Sequence, residues 1–184
     1  MTHTKEHTST KTNAKPLIKL LKADHDKVKA LFDEFEKLHE KNNSNDKKAE
    51  IVKQICQELT LHALAEEAIV YPVARESIQD TDLMDEADVE HAGAKNLIKE
   101  LEKMNPEDSH YDAKVTVLRE YIEHHVKEEE GTMFPGLEKS GIDGEEMAEE
   151  VIQFKEDHKE SKPTSKKDDK EKSHAKSSSA RSAK

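Results

Sequence analysis

Apolar residues recur at alternating three- and four-residue steps in five stretches, the period of amphipathic helices. Leu17, Leu21, His25, Val28, Phe32, Phe35 and His39 form the first stripe. They predict a helix from Pro16, which suits a first turn, to about Glu40. Asn42-Asn43-Ser44-Asn45-Asp46 then reads as a turn that also offers N-caps. Ile51, Ile55, Leu59, His62, Glu66, Ile69 and Val73 mark a second helix, which Pro72 should kink or end. Thr81-Asp82 should cap a third, with Met84, Ala87, His91, Ala94, Ile98 and Leu101 on its stripe. After a turn at Asn105-Pro106, a fourth should start near Asp108. It carries Val115, Leu118, Ile122, His125 and Glu129, and ends about Phe134-Pro135. Gly136, Gly141 and Gly144 should break the chain before a short fifth helix, Glu145 to His158, with Met147, Val151 and Phe154 on one side. The pattern predicts an all-α fold: an antiparallel up-down-up-down four-helix bundle with a short extra C-terminal helix.

Apart from His39 near the end of the first helix, six stripe positions are polar: His25, His62, Glu66, His91, His125 and Glu129. His25 and His91 lie about fifteen and thirteen residues before the ends of their helices. His62 and His125 each lie about sixteen residues after the starts of theirs. At about 1.5 Å per residue, an antiparallel bundle puts all four His in one layer. The stretches are also related in pairs. His62-Ala-Leu-Ala-Glu66 with Tyr71-Pro72 returns sixty-three residues on as His125-Val-Lys-Glu-Glu129 with Phe134-Pro135. Asp24-His25 with Phe35-Glu36 returns sixty-six residues on as Glu90-His91 with Leu101-Glu102. Positions i and i+4 share a helix face, so each HxxxE aims an imidazole and a carboxylate at one point.

Two carboxylates buried together cost several kcal/mol per ion unless paired, and no Lys or Arg lies on these stripes. A cation is the simplest compensation: two Glu can bridge two metals while imidazoles complete the coordination. Mixed imidazole and carboxylate ligands suit iron, with zinc and manganese as alternatives.

The order His, HxxxE, His, HxxxE on successive helices, with Tyr-Pro and Phe-Pro after the two HxxxE motifs, resembles the haemerythrin-like (HHE cation-binding) family over residues 16–135. The resemblance implies a four-helix bundle around two non-haem iron ions with an oxo or hydroxo bridge. His25 and His62 would bind one iron and His91 and His125 the other, with Glu66 and Glu129 bridging them. Oxygen-carrying members have a further His four residues after the one on the third helix; here Lys95 stands there. Simple oxygen carriage is thereby put in doubt, and reaction with oxygen, peroxide or nitric oxide gains weight. His158 is a candidate for the missing ligand. Lys95, Glu67 and Glu130 read as solvated helix positions, and His124 and Glu128, one residue out of register, as exposed or outer groups. Tyr71 is a candidate hydrogen-bond donor or radical site.

Composition narrows the picture further. Hydrophobic residues make up 33% and charged residues 39% of the 184 positions, a thin core that suits slender helices. Residues 161–184 carry a net charge of +5 and the rest −16. The acidic body argues against nucleic-acid binding by the folded part. The tail has no aliphatic residue larger than Ala and should be disordered and solubilising, with weak contact to nucleic acid or an anionic surface as a lesser candidate role. No apolar run is long enough to span a membrane, no signal peptide is evident, and the lone Cys56 fits a reducing cytoplasm. The expected organisation is a flexible N-terminus over 1–15, the bundle over 16–160 and the disordered tail over 161–184. A ferritin-like site needs Glu-x-x-His on two facing helices; Glu36-Lys-Leu-His39 lies on a predicted helix, but Glu107-Asp-Ser-His110 and Glu171-Lys-Ser-His174 fall in polar segments. Three functions remain. The leading one binds or senses oxygen, nitric oxide or iron. The others are an enzyme acting on peroxide or nitric oxide, or repairing iron under stress, and a metal-stabilised adaptor working through its tail.

Overall fold

The structure, a computed structural model, describes residues 13–40, 45–78 and 80–160. The expected disordered tail and its partner contact, the turn at 42–44 and nearly all of the flexible N-terminus lie outside these residues. Among the described residues the fold is wholly helical. Helices α1 (Lys15–Glu40), α2 (Asn45–Ala65), α3 (Tyr71–Ser77), α4 (Thr81–Leu101), α5 (Tyr111–Glu128), α6 (Phe134–Ser140) and α7 (Gly144–Glu160) follow in order. Local chemistry sets their ends. The Lys15 amide donates to Asn13 Oδ1 (3.0 Å) ahead of Pro16. Asp80, not the expected Thr81-Asp82, caps α4 by accepting from the Leu83 amide at 3.2 Å. Asp143 accepts from the Glu145 and Glu146 amides at the start of α7, at 3.2 Å each.

Neither aromatic–Pro pair ends its helix. A π-helical turn over Glu66–Val70 joins α2 to α3, and another over Glu129–Met133 joins α5 to α6. At the ends of these turns the Tyr71 amide donates to the Glu66 carbonyl and the Phe134 amide to the Glu129 carbonyl, five residues back. One extra residue per turn accommodates the Pro that follows, so the rods run on to Ser77 and Ser140. Gly136 is therefore helical, contrary to expectation. The break comes at Gly141, whose φ of 75° ends α6 in the left-handed conformation.

α1 packs on α2 and α4 on α5, while α7 lies across α1 and α2. The core has two parts. Leu17, Leu21, Val70, Met84, Met133, Phe134, Leu137 and Val151 fill one. Val28, Phe32, Phe35, Ile55, Leu59, Ile98 and Leu118 fill the other. Each such side chain fully buried contributes roughly 1.5–3 kcal/mol. The His-bearing segments pass between these two cores. At the far end of the second core, the buried Lys48 ammonium pairs with Asp112 at 2.9 Å and lies 5.9 Å from the Phe35 ring centre. His39 also pairs with Asp112, at 2.8 Å, well away from the other His.

Candidate metal centre

His25 on α1, His62 on α2, His91 on α4 and His125 on α5 are all buried and meet in one layer with Glu66 and Glu129. Both Glu are first residues of the π turns, and Glu66 is wholly inaccessible to solvent. The four Nε2 atoms face the carboxylates. His62 Nε2 lies 3.1 Å and His91 Nε2 3.6 Å from Glu66 Oε2. Glu129 spans the layer, with Oε2 3.2 Å from His25 Nε2 and Oε1 3.3 Å from His125 Nε2. The ligating atoms of His25, His62, Glu66 and Glu129 all lie within 4.8 Å of one another, as do those of Glu66, His91 and His125. Two clusters thus share a carboxylate.

Several of these atoms have no hydrogen-bond partner: His25 Nε2, His62 Nε2, both Glu66 oxygens and Glu129 Oε2. They are close together but misaligned for hydrogen bonding. Orphaned buried polar atoms are costly, and five of them converging on one point fit a cation. Atoms ~2.1 Å from a common ion, a usual metal–ligand distance, stand ~3.0 Å apart at right angles. The residues present fit the metal.

The outward ring nitrogens are equally organised. His25 Nδ1 bonds Glu130 at 3.0 Å, His62 Nδ1 Asp24 at 3.3 Å, His91 Nδ1 Glu67 at 2.9 Å and His125 Nδ1 Glu90 at 2.8 Å. A carboxylate on Nδ1 keeps the proton there and leaves the Nε2 lone pair free for a metal. A lysine sits behind three of these carboxylates and a histidine behind the fourth. Lys22 pairs with Glu130 at 3.1 Å, Lys155 of α7 with Asp24, and Lys95 with Glu67 at 2.5 Å. His124 Nε2 stands 3.3 Å from Glu90. Glu67, Glu130 and Lys95 are thus not the solvated positions expected. His124 is exposed as expected, and with Glu86, Glu90 and Glu128 it forms a surface group on α4 and α5. His158 is exposed, stacked on Phe154 with ring centres 3.9 Å apart, and does not join the layer.

Electrostatics follow the geometry. Burial pulls His62 down, but Glu66 and Asp24 outweigh it and raise its pKa to about 10. His125 is likewise lowered by burial yet raised to about 9, chiefly by Glu129. His91 is lowered, by burial first. Burial would raise Glu129, but its His neighbours hold it well below the usual carboxylate range. Protons on His therefore offset the buried carboxylates, and a metal competes with them.

On the side toward the second core, a cavity of about 20 Å³ touches all four His and is closed by Val28, Leu59, Ala94, Ile98 and Ile122. That holds one or two water-sized molecules. An open groove of about 550 Å³ between α1 and α5 shares His25, Ile122 and Val126 with it.

Residues 17–137 match the family model described as the Hemerythrin HHE cation binding domain. The chain belongs to the haemerythrin HHE cation-binding family. A solved structure of an HHE cation-binding domain-containing protein from Mycobacterium kansasii superposes with a TM-score of 0.62. At 22% identity it covers 79% of this chain and 89% of its own, and shows the shared fold. A curated relative from Nostoc sp. strain PCC 7120, named a DNA nickase, is 29% identical over 136 residues. The match spans 74% of this HHE chain but 37% of that relative, about a third of its length.

Proposed function

We propose that the chain is a non-haem di-iron protein that binds or senses a small ligand such as dioxygen, nitric oxide or peroxide. The observation that carries this is the pair of overlapping His/Glu clusters, with their Nε2 lone pairs and orphaned carboxylate oxygens turned to one point. His25 and His62 would hold one ion, His91 and His125 the other, with Glu66 and Glu129 shared. Iron bound there supplies a redox-active Lewis acid. Imidazole and carboxylate donors suit it, with zinc or manganese as the alternatives.

The chain's own residues set the conditions. Asp24, Glu67, Glu90 and Glu130 fix the four imidazole tautomers. Ile98, Ile122 and their neighbours keep the adjoining cavity apolar and small. That favours a diatomic ligand over a bulky organic substrate. Among the described residues no helix is long and apolar enough to cross a membrane. A cytoplasmic setting suits the lone Cys56, whose thiol burial pushes up to about 12 and keeps unreactive.

The test is stopped-flow spectroscopy of the iron-loaded chain mixed with nitric oxide, dioxygen or peroxide. A saturable, reversible optical change supports binding or sensing. Peroxide turnover far above that of free iron would move the reading to an enzyme. The nickase name belongs to a protein about twice as long, and the acidic body here is poorly suited to duplex DNA. Plasmid incubated with the iron-loaded chain should stay supercoiled.

A further inference from the structure

The two clusters are unequal: one brings four His and Glu side chains together and the other only three. On the poorer side stands Tyr71, 3% exposed. Its Oη lies 3.1 Å from His91 Nε2, 3.4 Å from His125 Nε2 and 3.1 Å from Glu129 Oε1. His91 and His125 Nε2 are themselves 3.1 Å apart. Ligand atoms ~2.1 Å from one ion stand ~3.0 Å apart at right angles and ~3.4 Å apart at the tetrahedral angle. All four separations fall near these edge lengths.

With both imidazoles neutral, hydrogen bonding alone does not satisfy the cluster. The phenol has one proton, which Glu129 can accept. Both Nε2 atoms face inward as acceptors when Nδ1 carries the proton toward Glu67 or Glu90. A phenol oxygen and two imidazole lone pairs packed this tightly repel one another unless a proton or a metal ion lies among them, and a metal would take the proton's place. The π turn is what makes the approach possible. Its extra residue carries Tyr71, five positions after Glu66, back toward the same point. At the related position of the second repeat stands Phe134, stacked on His25 with ring centres 5.8 Å apart and offering no oxygen.

We infer that Tyr71 is a metal ligand, completing the His91/His125 half of the centre, and that the two metal positions are chemically distinct. The inference rests on the di-iron reading. On ferric binding the phenol O–H bond breaks, an iron–oxygen bond forms and the proton passes to solvent; no oxidation state changes. Tyr71 thereby fills a coordination position in the half where Lys95 replaces the further His, leaving the His25/His62 half the more open to a small ligand.

The test is the visible and resonance Raman spectrum of the full chain loaded with ferric iron, beside Tyr71→Phe. Ferric phenolate gives a visible charge-transfer band, with tyrosine ring modes enhanced on exciting it. The expected result is that band in the parent protein and its complete loss in Tyr71→Phe at unchanged iron content. The parent spectrum alone is decisive should the variant fold poorly. Of the other two tyrosines, Tyr111 is buried in the second core and Tyr121 is half exposed on α5. Two irons per chain with no phenolate band overturns Tyr71 ligation and leaves the di-iron reading standing. A band that persists in a folded Tyr71→Phe also overturns it. A chain that takes up no iron overturns both.

Discussion

Glu67→Gln separates a metal-organising role from a merely structural one. Glu67 accepts from His91 Nδ1 at 2.9 Å and is held by Lys95 at 2.5 Å, on a surface about one-third exposed. Gln keeps the shape and can still accept a hydrogen bond. It removes the negative charge that makes the imidazole a stronger donor through Nε2. Loss of such an outer partner weakens metal binding 10–100-fold, or about 1.4–2.8 kcal/mol. Lys95 reaches solvent, so its loss of a partner adds little to stability. The weakening should fall on one half of the centre, because His25 and His62 have their own partners in Glu130 and Asp24. Competition against a chromophoric chelator should therefore show two binding steps, one near the parent affinity and one 10–100-fold weaker, with helicity unchanged by circular dichroism. Glu120→Gln, at an exposed position on α5, is the control. Two unshifted steps in Glu67→Gln would refute the role given to the outer carboxylates. An equal shift of both steps would refute their assignment to separate halves.

Glu66→Ala or Glu129→Ala should abolish binding of two metals, because each Glu faces His from both halves, whereas His124→Ala should not; elemental analysis decides. Metal-free protein should lose stability as pH rises. The raised pKa of His62, about 10 against an ordinary 6.5, makes its contribution complete below pH 6.5 and lost on passing through 10, and His125 follows at about 9. A urea midpoint that is flat or rising from pH 6 to 10 would contradict this. The same protons compete with metal, so uptake should weaken as pH falls. Gly144→Ala should destabilise by about 1–3 kcal/mol. The added methyl would stand 2.5 Å from the Asn13 carbonyl oxygen and 2.7 Å from Ala14 Cα, backbone that cannot step aside. Lys95→His should bring a fifth imidazole to the layer and slow autoxidation, measured by optical decay of the ferrous form in air.

The helices and the polar layer were legible because the signal is periodic. His25, His62, His91 and His125 hold stripe positions at matching distances from the turns, and repetition of HxxxE made coincidence hard to sustain. The π turns were not legible. A Pro after an aromatic residue reads as an ending, and only the register of packed rods shows an extra residue instead. Of the outer carboxylates, Glu67 and Glu130 were misread as solvated and Asp24 and Glu90 were given no role, for a related reason. Asp24, Glu67, Glu90 and Glu130 each adjoin a stripe residue in sequence, about 100° around the helix, which looks like a solvated face on an isolated helix. In the bundle that direction meets the neighbouring helix, where an imidazole awaits it. The available signal was their adjacency: Asp24-His25, Glu66-Glu67, Glu90-His91 and Glu129-Glu130. Lys155 was invisible for a simpler reason. Nothing in its own stretch says that α7 lies over Asp24.

The central claim is that six buried side chains hold two iron ions as one coupled centre. Iron content with Mössbauer spectroscopy, on the untagged chain loaded with enriched iron, addresses it most directly. The account predicts two irons per chain and a diamagnetic, antiferromagnetically coupled ferric pair with two distinguishable sites. One iron per chain, a magnetically isolated ferric signal, or a folded chain that retains only zinc would contradict it.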